Sequence, residues 1–248
     1  MSQNITVTGM ILSATPIGEY DRRVVILTKE RGKISAFAKS ARRQNSTLMG
    51  MTNPFTFGEF TLYEGRSSYT LVQANVTNYF MELSTDFEGA YYGFYFMEFA
   101  DYYAREYNDE TQMLKLLYQS LRALASKKIS YELIRCIFEL KMLVINGEYP
   151  EVFQCTLCGN KEVLSGFSSK NRGVLCSKCK NTVGDWIQME NSAVYTLQYI
   201  VSSPIEKLYT FAVSDAVLGQ LQRIMKQYIG MYVEKKFKSL EILETCLK

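Results

Sequence analysis

The sequence predicts an α+β chain: a small barrel of β-strands, followed by helices that carry a metal-binding module. Three observations predict it. Residues 1–80 alternate apolar and polar positions over short runs rich in Thr, Val and Ile, whereas from residue 86 apolar positions recur at helical spacing. Net charge changes sign near residue 81, from +4 over residues 1–80 to −4 over residues 81–150. Two Cys-x-x-Cys pairs then interrupt the helical part.

Five strands account for the first part. Ile5 to Leu12 reads as the first, Arg23 to Lys29 as the second and Lys33 to Lys39 as the third. Glu30-Arg31-Gly32 makes a tight hairpin between the last two, with Gly32 free to take positive φ. Pro54 to Tyr63 reads as a fourth strand, and Glu64-Gly65-Arg66 turns it into a fifth, Tyr69 to Val76. Val24-Val25-Ile26-Leu27 is apolar on both faces, as in a strand buried on both sides. Short strands with an irregular stretch after the third fit a closed barrel of the OB-fold type.

Helices follow. Tyr92, Tyr95, Phe96, Phe99 and Tyr103 fall on one helical stripe that excludes Glu98 and Asp101, with Thr85 or Asp86 as N-cap. Such a stripe is core packing. Further helices are expected over 110–126, 130–146, 191–201 and 214–238, the second of these stopping at Asn146-Gly147 before Pro150. The chain thus divides into an OB-fold, nucleic-acid-binding domain at 1–81 and a helical domain at 82–248, with a zinc-binding insertion at about 151–183.

Composition removes several classes of function. The 248 residues are 47% apolar and 21% charged, enough for a globular core without disulfides. With no histidine, a Ser–His–Asp or Cys–His nucleophile, a histidine-ligated metal and an imidazole proton shuttle are all impossible. Met1-Ser2-Gln3-Asn4 does not read as a signal peptide, and no run of 18 apolar residues is free of charge. A reducing cytosol is therefore expected, where paired cysteines hold metal more often than they form disulfides.

Cys155-Thr156-Leu157-Cys158 and Cys176-Ser177-Lys178-Cys179 have the spacing of paired zinc knuckles. Zinc takes four thiolates in a tetrahedron about 2.3 Å from the metal, and each pair supplies two adjacent ones. Gly159 suits a turn whose amides point at sulfur. Four thiolates leave no open position for water, so the expected single zinc ion is structural. A thiol–disulfide switch lacks its strand–helix context, and a zinc deaminase lacks its H-x-E. Cys136 reads as a buried apolar residue. Lys161, Lys170, Arg172, Lys178 and Lys180 surround the module, as a solvated rim or a secondary nucleic-acid contact.

Strand parity points to a binding face. Ile34, Ala36 and Ala38 share one side of the third strand; Lys33, Ser35, Phe37 and Lys39 share the other. An exposed ring between two lysines suits single-stranded nucleic acid, because bases stack on the ring while ammonium groups meet phosphates. The hairpin adds Lys29 and Arg31, and the next segment adds Arg42 and Arg43. A solvated charged face is the alternative. Phe55, Phe57, Tyr63 and Tyr69 are further stacking candidates that parity leaves unassigned.

The order of these parts resembles the RecO family of DNA repair proteins over nearly the whole chain. Thr28-Lys29-Glu30-Arg31-Gly32-Lys33 and Ala38-Lys39-Ser40-Ala41-Arg42-Arg43 are similar to that family's barrel hairpin and basic segment. Phe138-Glu139-Leu140-Lys141, then Gly147, Pro150 and Cys155-x-x-Cys158-Gly159, resemble its central helix and knuckle, and Phe167-Ser168 with Gly173-x-x-Cys176-x-x-Cys179 continue the match. Ser40 departs from the pattern, standing where the family has glycine. The resemblance implies a cytoplasmic, nucleoid-associated recombination mediator without enzymatic activity. It implies binding to single- and double-stranded DNA, annealing of complementary strands, and a place in the RecF/RecR pathway. RecR, the C-terminal tail of single-strand-binding protein and, indirectly, RecA are the implied partners. A zinc-containing interaction scaffold with incidental DNA contact is the competing reading.

Overall fold

Barrel and helices are both present in the computed structural model, which describes residues 3–246. Met1 and Ser2, part of the stretch read as lacking a signal sequence, lie outside the described residues. The strands are β1 (Gln3–Ile17), β2 (Asp21–Thr28), β3 (Gly32–Ala38), β4 (Phe57–Glu64) and β5 (Tyr69–Asn78), with a four-residue helix, α1 (Leu48–Met51), after β3. They close in the order β1-β2-β3-β5-β4, with β4 returning to β1. Only β3 and β5 run parallel, through Ala36 opposite Tyr69 and Phe37 opposite Thr70. This is the OB-fold topology.

Alternation explains the barrel interior. Val7, Ile11, Val24, Ile26, Phe60 and Leu62 fill it together with Ile34, Ala36 and Ala38. Leu27 is also buried and Val25 half-buried, so β2 is covered on both sides, as its unbroken apolar run requires. Gly32 takes φ +65, and a Cβ there would collide with the carbonyl of Arg105. That close approach lets Lys33 donate its amide to Arg105 O at 3.0 Å and Tyr107 donate to Arg31 O at 2.9 Å.

β1 is longer than its sequence pattern indicates. The expected end at Leu12 is a bulge: register shifts between Ile11 and Ser13, and the strand continues to Ile17. A bulge bends a strand, which lets one β1 pair with β4 along its first half and β2 along its second. β4 begins at Phe57 rather than at Pro54, because Phe55 turns the chain at φ 72.

Helices α2 (Phe87–Tyr103) and α3 (Thr111–Ser126) follow the barrel. The Asp86 carboxylate caps α2 by accepting from Gly89 N at 2.9 Å. Tyr92, Tyr95, Phe96 and Phe99 are buried, as the aromatic stripe requires. The expected helix over 214–238 stops early, at Tyr232, as α6 (Asp215–Tyr232), and a separate helix, α7 (Lys238–Cys246), starts where it was expected to end. Phe237 breaks it by stacking on Phe99 at 4.9 Å and meeting Tyr95 edge-on at 5.3 Å. Burying a phenyl ring stabilises by roughly 1.5–3 kcal/mol.

By compactness the described chain falls into two units. One unit runs through Ala125 and resumes at Phe237; the other is Ser126–Lys236. The barrel strands end at Asn78, and α2 and α3 pack rings directly on the barrel segments. Phe55 meets Phe94 at 4.8 Å, and Phe57 meets Tyr118 at 4.6 Å.

The second unit holds α4 (Tyr131–Ile145), α5 (Asn191–Ser202) and α6, with Ser130 and Ser214 capping α4 and α6. It also holds a three-stranded antiparallel sheet, β7-β6-β8, from β6 (Leu164–Ser168), β7 (Gly173–Cys176) and β8 (Ile187–Gln188). These strands were not anticipated; runs of two to five residues carry too little periodicity. No helix among the described residues is long and apolar enough to cross a membrane.

Candidate metal centre and nucleic-acid interface

The four cysteines converge within the second unit. Cys155 and Cys158 lie on a turn closed by Gly159 N donating to Cys155 O at 2.8 Å, with Gly159 at φ +72. Cys176 ends β7, and Cys179 opens the short 3-10 turn Cys179–Thr182. All four sulfurs lie within 4.8 Å of one another. Cys158 Sγ and Cys176 Sγ stand 3.8 Å apart. A tetrahedron with 2.3 Å zinc–sulfur bonds has an edge of about 3.8 Å, whereas a disulfide needs about 2.05 Å. The geometry fits one four-coordinate ion.

Electrostatics favour the thiolate at Cys155 and Cys176. Burial pushes the Cys155 thiol up, but backbone amides of Cys176, Leu157 and Cys158 outweigh it and bring it down to about 6. Cys176 is likewise lowered, first by the amide of Cys179. Cys179 moves the other way, to about 12, chiefly because it donates to the neighbouring sulfurs of Cys158 and Cys176. Cys136 lies apart, buried and pushed up by that burial, as an inert apolar residue should be.

On the barrel, β3 parity holds: Ile34, Ala36 and Ala38 are buried, while Phe37 is 39% exposed and Lys39 is exposed. Register places Arg23 on β2 opposite Phe37, and Thr70 then Tyr63 on its other side. Arg23, Phe37, Thr70 and Tyr63 therefore form one outward row across four strands. Of the four other stacking candidates, only Tyr63 is exposed; Phe55 and Tyr69 are buried, and Phe57 packs on Tyr118.

The basic residues separate into engaged and available groups. Lys33 Nζ pairs with Asp101 Oδ1 at 3.2 Å and also donates to the Asp101 carbonyl. Arg31 pairs with Glu64 at 3.7 Å. Lys29, Lys39, Arg42 and Arg43 are exposed, with Arg42 Nη1 donating to Gly18 O at 3.3 Å. Lys29 and Arg31 stand at one end of β3 and Lys39, Arg42 and Arg43 at the other, about 20 Å along the strand. The second cluster is the one adjoining Phe37.

Ser40 sets the direction of that cluster. It sits in the left-handed region at φ 55, where glycine is at ease. The Asp21 carboxylate holds the turn by accepting from Ser40 N at 2.7 Å, and Arg43 N donates to Ser40 O at 3.0 Å. Arg42 N donates to Tyr20 O at 2.8 Å, and the Arg43 guanidinium lies 4.7 Å from the Tyr20 ring centre. The loop keeps the glycine-type turn with serine in it.

Arg22 and Arg23 were missed by the sequence reading, although their doublet opens β2. Arg22 is structural: Nη1 donates to Thr52 Oγ1 at 2.8 Å and Asn53 Oδ1 at 2.9 Å. Arg23 is held beside Phe37 by donating Nε to Ser35 Oγ at 2.7 Å.

An OB-fold barrel and a helical unit with a four-cysteine cluster, in one chain and in this order, define a class of two-part OB-fold protein. A family model described as Recombination protein O N terminal matches residues 1–80, and one described as Recombination protein O C terminal matches residues 84–241. The DNA repair protein RecO of Alkaliphilus metalliredigens is 32% identical over 240 residues, covering 96% of this chain and 98% of the relative. That of Acetivibrio thermocellus is 32% identical over 239 residues, covering 96% and 95%. The protein of the same name from Clostridium perfringens strain 13 is 30% identical over 238 residues, covering 95% and 96%. The chain belongs to the RecO family.

Proposed function

We infer that this protein is a non-enzymatic mediator of recombinational DNA repair. The supporting observation is the outward row of Arg23, Phe37 and Tyr63 beside exposed Lys39, Arg42 and Arg43 on the barrel of a RecO-family chain. Its relatives are named as DNA repair proteins. On such a face the rings take bases and the cations take phosphates, so single strands are held with their sequence unread. Lys29, Arg31 and Lys33 belong to the same interface, Arg31 beside its Glu64 partner and Lys33 once Asp101 releases it. Double-stranded DNA is bound through phosphates alone. Annealing requires only that charge on two strands be neutralised while their bases stay free to pair, and no catalytic residue takes part. RecR, the acidic tail of single-strand-binding protein and, through them, RecA are the partners, at the nucleoid in the cytoplasm.

Zinc is the ion that the four-thiol cluster suits. Cys155, Cys158, Cys176 and Cys179 would hold one Zn2+, whose contribution is folding energy rather than chemistry.

Titration of single-stranded DNA at several salt concentrations tests the barrel face. Arg42→Ala with Arg43→Ala is expected to weaken binding and to reduce the salt slope by about 1 to 1.5, since each lost phosphate contact on a single strand removes about 0.7. Unchanged affinity and slope would move the interface elsewhere. Absence of DNA binding at low salt, with capture of protein partners, would favour the scaffold reading.

A further inference from the structure

The barrel carries a cleft of about 520 Å³ that phosphate binding does not explain. Phe37, Arg23, Glu64, Arg66, Glu106 and Tyr107 line it, joining β2, β3, the β4–β5 turn and the segment between α2 and α3. Its size falls within the range of roughly 300–1,000 Å³ usual for small-ligand clefts.

Two features set its chemistry. The first is aromatic. Phe37 is 39% exposed and Tyr107 is 68% exposed, yet both border one concavity. Tyr107 is held at φ 64, a conformation that costs a side-chain-bearing residue about 1 kcal/mol. The surroundings impose it: Glu106 bridges to Gly32, and Tyr107 N donates to Arg31 O at 2.9 Å. A strained residue held rigidly with its ring in solvent is typical of a ligand clamp.

The second feature is mixed charge. Arg23 and Arg66 share the cleft with Glu64 and Glu106, so its lining carries both signs of charge rather than the purely cationic one a phosphate site needs. A nucleobase suits it better, with a flat π-face for the rings and hydrogen-bonding edges for the carboxylates. Glu64 is already oriented by Tyr69 OH at 3.3 Å and Arg31 at 3.7 Å. Glu106 is exposed at the rim. Carboxylates accept from exocyclic amino groups; cytosine has one and thymine has none.

We propose that this cleft takes one unstacked base of a single strand, between Phe37 and Tyr107, and reads its exocyclic amino group through Glu106 and Glu64. The protein therefore favours cytosine over thymine at one position of an otherwise sequence-tolerant interface. This rests on the barrel being the DNA-binding unit.

Labelled oligo-dC and oligo-dT of equal length, both weakly self-stacked, separate the two ideas when titrated against the full chain at one salt concentration. The parent is expected to bind oligo-dC about five- to tenfold more tightly, the lower range for one good base contact. Glu106→Ala should bring the ratio close to one. Tyr107→Ala should weaken binding to both oligonucleotides without changing the salt slope, and Tyr107→Phe, which keeps the ring, should restore it. Arg42→Ala with Arg43→Ala should weaken both and preserve the ratio. Equal binding of dC and dT by the parent, or an undiminished ratio in Glu106→Ala, overturns the base cleft and leaves DNA binding by the barrel standing. Binding of neither oligonucleotide at low salt overturns the barrel assignment itself, and the cleft with it.

Discussion

Ser40 illustrates how one residue controls the course of a basic loop. An L-residue in the left-handed region costs about 1–2 kcal/mol, and the Asp21 carboxylate offsets part of this by binding Ser40 N at 2.7 Å. Ser40→Gly should therefore stabilise the barrel by about 0.5–1 kcal/mol, after glycine's larger entropy loss is subtracted. Thermal melting reads this directly: a rise of a few degrees is expected, and a fall would mean that serine supplies something beyond the turn. DNA binding should be unchanged, because the turn is already of the glycine type. At this scale the sequence located the departure, and the backbone supplied its consequence. The basic residues behave likewise. Seven cations or rings were legible as a patch, but Lys33 and Arg31 meet carboxylates whose positions no local pattern reveals.

Elements were legible in proportion to their length. The parity of β3 predicted which face is core, because a strand's side chains alternate strictly and its inner face could hold only Ile34, Ala36 and Ala38. Helices α2 to α6 follow their apolar periods to within a few residues at the start. The β6–β8 sheet was not legible, and the run-on helix over 214–238 was misread, since Phe237 answers to aromatic rings more than 130 residues away. Lys141, singled out only as part of a motif, has a clear role between helices. Its ammonium donates to Ile200 O, Val201 O and Ser203 O at 3.2, 3.0 and 2.7 Å, closing the carboxyl end of α5. Burial pulls its pKa below the ordinary lysine value, and those carbonyls hold the charge in place. Lys141→Met keeps the length of the chain and removes the donors. It should cost about 2–3 kcal/mol, the value of a charged hydrogen-bonding group in a buried site. Urea unfolding that leaves the stability within 0.5 kcal/mol, roughly the effect of an ordinary surface change, would deny Lys141 this capping role.

For the whole molecule, the formal charge of +3 conceals a barrel segment at +4 and a following segment at −4. Four thiolates on one divalent ion would add about −2 to the formal count. On the proposed function, attraction to DNA is then local to the barrel, not a property of the total. The two compact units imply separable stabilities. Cys158→Ser, or prolonged chelation, should release the metal and unfold the second unit, lowering its melting temperature by more than 10 degrees, as loss of a structural ion worth on the order of 10 kcal/mol requires. Metal analysis and calorimetry together check this. A variant that has lost zinc yet melts like the parent would show that the cluster does not support the fold.

The sequence by itself determined the α+β class, the order of the barrel strands and of helices α2 to α6, the buried face of β3 and the identity of the four thiol donors. All of these follow from short-range rules, namely residue periodicity, cysteine spacing and turn chemistry. Tertiary structure alone decided which cations stay available, where the helix at 233–237 breaks and how the compact units divide. It alone also brought Tyr107 and Glu106 beside Phe37. Each of those depends on partners far apart in the chain, such as Lys33 and Asp101, 68 residues apart. Burial and charge pairing act on distance in space, which a linear pattern does not record.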